Sequence, residues 1–354
     1  MSITGPVSQP RSRWWPLVRY VIGVVLGALV LVALFTQRGN LHSALHELAF
    51  VNGWWVLAAV VAEFGSIFVF GLLQRWVLRI GGATLALGPL LVISLANNAI
   101  ANTVPGEPAV SSAFRYHEYR RRGASGAGSG WAILTIIIAQ AIGMSSLLLF
   151  GVIVTIATSA SASITGVALI GVLVIVFAGS VLVRRDLLLR FLRVLVRVAQ
   201  RVTGHPRGDA ASRVHATIDR MREIRLSPLE TARVIALALA VWALDLACLL
   251  FAFTAVHAPI PWHGVVLAYG VAQIVAVLPI VPGGLGLVEG GLTVVLVAYG
   301  STRVHALSTV LIYRAVSFWL AVIVGWMCFG LLAVVARRAR ADVDRVGTED
   351  RVNE

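Results

Sequence analysis

Residues 278–289 read LPIVPGGLGLVE and lie inside a long apolar region of the chain. Two prolines, three glycines and one carboxylate fall within these twelve residues. Proline removes a backbone donor and glycine loosens the helical turn, so this segment is expected to break a helix. A broken helix is tolerated at membrane depth only where it is buried in protein or faces a polar cavity. The stretch therefore predicts an interrupted helix beside such a cavity.

A weaker copy of this pattern occurs upstream. Asn98 and Asn102 precede the sequence VPGEP at residues 104–108, again inside an apolar region. Residues 84–112 as a whole are too apolar for a surface loop and too interrupted for a clean span. The sequence therefore contains two breaks, and the other apolar segments are expected to hold them in place.

The composition places the chain in a membrane. Of its 354 residues, 58% are hydrophobic and only 13% are charged. Apolar runs of about 20 residues, enough to cross a bilayer as a helix, recur along the sequence. These features exclude an ordinary soluble domain and predict an all-α polytopic membrane protein.

The formal net charge of +13 does not indicate nucleic-acid binding, because the arginines cluster in short segments beside the apolar runs. That placement is typical of cytoplasmic loops and of contact with anionic headgroups. All 29 basic residues are arginine, which favours a GC-rich bacterial genome and predicts a bacterial cytoplasmic membrane.

Cys248 and Cys328 lie in apolar runs and are expected to be free thiols, and neither a metal nor a cofactor is predicted.

The chain divides into two membrane halves. A basic cytoplasmic tail at 1–16 precedes the first half at 17–183, and an arginine-rich cytoplasmic linker at 184–233 leads to the second half at 234–336. Residues 337–354 form a cytoplasmic tail. About six full spans are expected, near 17–36, 54–73, 131–155, 164–183, 234–256 and 306–335.

Arginine placement predicts the sidedness of the two interrupted regions. Arg79 and Arg115 are both expected on the cytoplasmic side, so residues 84–112 must enter the membrane and return as a re-entrant helical hairpin. By the same reasoning, residues 262–302 enter and return from the outer face. In the alternative, each interrupted region crosses the membrane completely twice. This alternative predicts the same sidedness for the basic segments as the hairpins do.

The two predicted hairpins occupy matching positions in the two halves. Each follows a span that carries a carboxylate, Glu63 or Asp245, and each is followed by an arginine, Arg115 or Arg314. Opposed interrupted segments at matching positions are typical of an inverted-repeat transporter with a site near the membrane midplane.

The motifs around these breaks resemble one family. They are QRW at 74–76, VPGE at 104–107 with Arg115 and RRRG at 120–123 downstream, and the PxxPGGxGxxE pattern of 279–289 followed by Arg314. Over residues 17 to 336 the chain resembles the flippase-like transmembrane domain of lysylphosphatidylglycerol synthases and its stand-alone relatives. Seven residues here separate Glu107 from Arg115, where family members often carry an arginine soon after the Gly-Glu pair. No aminoacyl-transferase domain is expected after residue 340, so the resemblance implies lipid translocation or lipid-linked transport and not lysyl transfer.

Four carboxylates are predicted to couple movement to a proton or another ion. Ionisable groups inside spans cost about 2.5–3.5 kcal/mol each on insertion scales, which makes Glu63 and Asp245 functional candidates. Glu107 directly follows Gly106, and Glu289 lies three residues after Gly286. The structural alternatives are a hydrogen bond between helices for Glu63, a salt bridge to Arg314 for Asp245, and helix capping for Glu289 and Glu107.

The predicted substrate-binding residues come from both breaks and from the arginines that follow them: Arg314, Arg115, Asn98, Asn102, Gly283 and Gly284. Arg314 lies too deep in the last span to reach the outer interface easily, and a guanidinium binds phosphate in a bidentate manner. Its structural alternative is an ion pair with Glu289 or Asp245. The glycines lack a following Lys-Ser/Thr pair, so a nucleotide-binding loop is not predicted.

The leading functional hypothesis is a flippase or transporter that moves an anionic or amphipathic phospholipid, or a lipid-linked intermediate such as a polyprenyl phosphate. Half-helix N-termini at the breaks would attract phosphate. A non-transporting lipid-binding scaffold for a partner enzyme and a lipid-linked transferase are the alternatives. No catalytic residues are assigned and no enzyme activity is expected. The expected partners are membrane lipids and not nucleic acid, and the sequence leaves room for a homodimer and a cytoplasmic or membrane partner enzyme.

Overall fold

The helices of the chain are seen in a computed structural model that describes residues 51–104, 107–158, 224, 226–277 and 282–335. Every regular element among these residues is helical. In chain order they are α1 (Gly53–Ile80), α2 (Leu87–Thr103), α3 (Glu107–Arg121), α4 (Gly126–Thr158), α5 (Pro228–Ala255), α6 (Val265–Val277), α7 (Leu287–Ala298) and α8 (Arg303–Val335).

The four long helices α1, α4, α5 and α8 are each long and apolar enough to cross a membrane. The predicted spans at 54–73, 131–155 and 306–335 lie within α1, α4 and α8, and α5 ends one residue before the predicted end of the span at 234–256. The prediction of an all-α membrane protein is therefore confirmed.

Several sequence predictions lie outside the described residues. They are the spans at 17–36 and 164–183, the tails at 1–16 and 337–354, and most of the linker at 184–233.

Both interrupted regions form pairs of short helices. The first consists of α2 and α3, and the second consists of α6, a short 3-10 turn over Pro282–Gly284, and α7. The order of one long helix, two short helices and one long helix therefore occurs twice among the described residues. This is the arrangement that the two breaks in the sequence predict.

The glycines of the second break adopt backbone conformations that other residues rarely take. Gly283 has φ +62° and Gly286 has φ +81°, both in the left-handed region. Side chains with a Cβ are disfavoured there by steric contact with the backbone, which is why glycine occupies these positions. The chain turns at these residues and starts α7 at Leu287.

The helix α1 packs most extensively against α5, and small or hydrogen-bonding residues hold the neighbouring helices together. The Ser66 hydroxyl of α1 donates to the Val241 carbonyl of α5 at 3.0 Å. The Trp242 indole of α5 donates to the Gln140 carbonyl of α4 at 2.9 Å. Gly143 allows α4 to approach α5 closely, because a Cβ there would lie 3.1 Å from the Ala238 backbone. Both α1 and α5 contribute residues to the two main hydrophobic clusters.

Among the described residues, the arginine-rich segments gather at one end of the structure. Gly81, just after α1, packs against Gly128 near the start of α4, where the chain leaves the basic end of α3. Arg233, near the start of α5, lies over the Trp76 ring at the end of α1, 5.2 Å from its centroid. The basic residues Arg79 and Arg120 therefore lie at the same end.

The opposite end is formed by the other termini of the same helices. The Asn52 N–H, just before α1, donates to the Ala255 carbonyl at the end of α5 at 3.0 Å. Thr155, near the end of α4, donates to the His263 carbonyl at 2.7 Å. Consequently α1 and α5 run antiparallel, and α6 and α7 are joined to the structure from this end.

Candidate functional site

A polar cavity of about 370 Å³ lies between helices α1, α2, α4, α5, α6 and α8. Its wall carries two carboxyl groups, Glu63 and Asp245, and one guanidinium, Arg314. Five carboxamides also line it: Asn97, Asn98, Asn102, Gln140 and Gln273. Because polar groups inside apolar helices are expensive to insert, a wall of this kind indicates a functional site.

Asp245 is the centre of a hydrogen-bond network in this wall. Its Oδ2 accepts from the Tyr269 hydroxyl at 2.6 Å and from Nε2 of Gln273 at 2.8 Å. Its Oδ1 accepts from the Tyr313 hydroxyl at 3.1 Å. Three neutral donors thus converge on one carboxylate from α6 and α8, an arrangement that stabilises its ionised form.

Glu63 lies beside Asp245 in the cavity wall, and its Oε2 has no hydrogen-bond donor among the described residues. Two neighbouring buried carboxyl groups repel each other when both are ionised, so we expect one of them to carry a proton. Because Asp245 accepts from three donors, we expect this proton on Glu63.

Arg314 and Glu289 form a largely buried ion pair. The Arg314 Nε donates to Glu289 Oε1 at 2.6 Å, and its Nη2 donates to the Gly283 carbonyl at 2.9 Å. The guanidinium also lies over the Phe318 ring, 4.2 Å from its centroid. Glu289 Oε2 accepts from the Gly286 N–H at 2.6 Å and so caps α7. Both structural alternatives for Glu289, capping and pairing with Arg314, are therefore realised together.

This ion pair also settles the structural alternative for Asp245. Among the described residues, the carboxylate that contacts the Arg314 guanidinium is Glu289 and not Asp245. Asp245 is held instead by tyrosine and glutamine donors.

The two breaks meet at the edge of the cavity. Asn102, near the end of α2, donates through Nδ2 to the Asn98 carbonyl and to its side-chain oxygen, each at 2.9 Å. A Cβ on Gly283 would lie 2.8 Å from the Asn102 carbonyl oxygen, so the second break packs directly on the first. Gly284 is buried beside this contact.

The predicted site residues are thus only partly assembled. The cavity wall brings together Asn98 and Asn102 of the first break with Glu63, Asp245 and Arg314.

Two predicted residues stand apart from this group. Arg115 is buried within α3, close to Tyr119, and is not among the described residues that line the cavity. Glu107 is the first residue of α3, and its side chain lies outside the described part of the structure.

Sequence reasoning missed Gln140, Gln273 and Tyr313 because it weighed only ionisable groups inside spans. A single carboxamide in an apolar run is the signal that would have found the two glutamines. Tyr313 carries no such signal, because tyrosine is common in helices of every kind. Among the described residues there is no cluster of three or more histidine, cysteine or acidic side chains suited to a metal ion.

Comparison with known proteins places this architecture in a family. A sequence model described as the lysylphosphatidylglycerol synthase TM region matches residues 20–325. The chain belongs to this family. It is also 25% identical, over 319 residues, to a UPF0104 membrane protein of Methanothermobacter thermautotrophicus, an alignment that covers 85% of this chain and 90% of that protein. The family assignment confirms the resemblance seen in the break motifs and covers both breaks and the whole cavity wall.

Proposed function

We propose that this protein is a lipid transporter that moves the headgroup of a phosphate-bearing lipid through the cavity, without a chemical step on the lipid. The observation that carries the proposal is the polar wall at the meeting point of two broken helices inside an otherwise apolar bundle. Polar residues that face a bundle interior in a membrane mark substrate or ion pathways. Membership of the lysylphosphatidylglycerol synthase TM family supports a lipid-related role.

A second, apolar groove supports an amphipathic substrate. It has a volume of about 590 Å³ and lies between α2, α3 and α8, with Ile100, Val104, Phe114 and Trp326 among its lining residues. The helix α2 separates this groove from the cavity: it contributes asparagines to the cavity and Ile100 to the groove. We assign the groove to the acyl chains of the lipid whose headgroup enters the cavity.

Arg314 is suited to hold a phosphate even though it is paired. A guanidinium has five N–H donors. Arg314 uses its Nε–H for Glu289 and one Nη2–H for the Gly283 carbonyl. The ion pair fixes the guanidinium plane. The remaining donors have no partner among the described residues and can bind phosphate oxygens, an interaction stronger than a neutral hydrogen bond.

The proposal is tested by lipid movement in proteoliposomes. Purified protein is reconstituted with fluorescently labelled phosphatidylglycerol or phosphatidylcholine, and transfer between leaflets is followed by dithionite quenching. We expect transfer with the native protein, and a large loss of rate with Arg314→Ala. Arg79→Ala is the matched control, because Arg79 is an exposed arginine at the end of α1.

Two results would overturn the proposal. One is native protein, shown to be folded and inserted, that moves neither lipid above the rate of empty vesicles. The other is an Arg314→Ala protein that moves lipid at the native rate.

A further inference from the structure

Three side-chain oxygen atoms of the cavity wall have no hydrogen-bond partner among the described residues. They are Glu63 Oε2 on α1, Asn97 Oδ1 on α2 and Gln140 Oε1 on α4. Glu63 is 6% exposed and Asn97 is 9% exposed. A buried acceptor without a partner costs about 1–3 kcal/mol, so three of them around one cavity indicate a ligand that supplies positive charge or donors.

Three donors of the helices around the cavity are already engaged. The hydroxyls of Tyr269 and Tyr313 and the amide of Gln273 donate to Asp245. These three side chains therefore do not serve as donors to the unpartnered oxygens. Carboxylate and carbonyl oxygens are the ligands of hard cations, and an ammonium group satisfies three acceptors at once.

The charges around Glu63 favour exchange of one cation for another. With the proton expected on Glu63, the carboxyl groups of Glu63 and Asp245 carry one negative charge between them. The charges of Arg314 and Glu289 cancel. The Cys248 thiol lies near both carboxyl groups, and the Tyr269 and Tyr313 hydroxyls donate to Asp245. In their protonated forms these three groups are neutral and do not change this charge balance. Replacing the Glu63 proton by a monovalent cation leaves the net charge of the cavity unchanged, which avoids adding an uncompensated charge to a medium of low dielectric constant.

We propose that Glu63, Asn97 and Gln140 form a binding site for one monovalent cation, which exchanges for the proton of Glu63. The cation enters as M⁺, the Glu63 carboxyl group releases H⁺, and the carboxylate and the two amide oxygens bind the cation. The cation is either free Na⁺ or the primary ammonium of a lipid headgroup. Its role as the coupling ion rests on the proposed lipid transport, whereas its binding does not.

Proton release from the full-length protein tests the exchange directly. Purified protein in detergent, in weakly buffered solution with a pH indicator, is titrated with NaCl at constant ionic strength, with choline chloride as the balancing salt. We expect one proton released per Na⁺ bound and a rise in Tm with Na⁺, since a ligand that binds only the folded state stabilises it. The Glu63→Gln variant should show neither effect.

The matched control is Glu230→Gln, the same substitution at the N-terminus of α5, where Glu230 belongs to a capping box with Ser227 outside the cavity. It should release protons as the native protein does. A second pair of variants, Asn97→Ala and Gln140→Ala, keeps the Glu63 carboxyl group. These variants should bind Na⁺ several-fold more weakly and still release a proton at saturation. Proton release at saturation would show that the weaker binding comes from loss of a ligand and not from loss of folding.

Methylammonium chloride forms the other arm of the experiment. Proton release by methylammonium but not by Na⁺ would support the site and assign it to a headgroup amine. Release by neither cation, or release that persists in Glu63→Gln, would overturn the proposal. Lipid movement is measured on the same preparation to separate the two proposals. Lipid movement without cation exchange would contradict the cation site and leave the proposed lipid transport unaffected.

Discussion

Arg314 and Glu289 show how single residues in the break depend on each other. Their side chains are 9% and 12% exposed, and their closest nitrogen and oxygen atoms are 2.6 Å apart. Removing one partner of a buried ion pair leaves an uncompensated charge, whereas removing both leaves none. The pair therefore has a structural role beside the phosphate-binding role proposed for Arg314, and stability measurements can separate the two.

We expect Arg314→Gln and Glu289→Gln each to reduce the free energy of unfolding by about 3–5 kcal/mol, as is typical when one half of a buried pair is lost. The double variant should be more stable than the sum of the two losses implies. Thermal unfolding in detergent is measured for the native protein, the two single variants and the double variant. Strictly additive losses would show that the two side chains do not interact in the membrane protein.

The proposed binding of phosphate by Arg314 can be tested with the same variants. The double variant keeps a neutral, matched pair but lacks the guanidinium. We expect it to regain stability without regaining lipid movement, because amide groups cannot replace the charged donors of arginine. Recovery of movement together with stability would assign Arg314 to structure alone.

The contact between the two breaks is a property of whole elements. The second break reaches α2 only because Gly283 has no Cβ, which would otherwise meet the Asn102 carbonyl and the Phe318 ring. The turn that follows Arg314 in α8 is π-helical over Ala315–Leu320. Such turns are frequent at functional sites, and this one contains Ser317 and Phe318, both of which line the cavity.

Gly283→Ala is expected to separate the two breaks. A residue with a Cβ in the left-handed conformation costs roughly 1–2 kcal/mol, and contact with Asn102 adds to this. Both Tm and the rate of lipid movement should fall. The control is Gly291→Ala within α7, where a Cβ would meet nothing within 4 Å. That change should stabilise the helix by about 0.5–1 kcal/mol.

Equal Tm values and equal rates of lipid movement for Gly283→Ala and Gly291→Ala would contradict this expectation. If Gly283→Ala retained native stability and rate, the breaks would not need their close contact for transport.

At the scale of the whole molecule, the two ends differ in charge. Arg79, Arg120 and Arg233 gather at the end where α1 and α3 finish and α5 begins, and Arg303 lies near the opposite end at the start of α8. Cytoplasmic segments of membrane proteins carry the excess of arginine. The arginine-rich end is therefore expected to face the cytoplasm.

Cysteine labelling tests this orientation. Cys328 is replaced by alanine, while Cys248, which is fully buried, is retained. Single cysteines are then introduced as Arg79→Cys or Arg303→Cys, both at exposed positions. In intact cells a membrane-impermeant maleimide should label Arg303→Cys, and it should label Arg79→Cys only after permeabilisation. Labelling of the parent protein gives the background, and the reverse pattern would invert the predicted sidedness.

Features that depend on local chemistry could be predicted from the amino-acid sequence. Apolar runs of span length, the proline and glycine breaks, and the arginine-rich ends follow from the backbone and side chains of neighbouring residues. For this reason the helical class, the four described spans and the position of both breaks were predictable. The candidate residues Glu63 and Asp245 were also visible, because a carboxylate within an apolar run is costly wherever that run packs.

How these residues combine depends on the packing of the helices. This packing brings Glu63 beside Asp245, pairs Arg314 with Glu289, and leaves Arg115 out of the described cavity wall. Asn97 and Gln140 gained significance in the same way, since an amide oxygen signals a ligand only when its neighbours leave it without a donor. Helix packing brings together residues that are far apart in the chain, and no local pattern encodes that proximity.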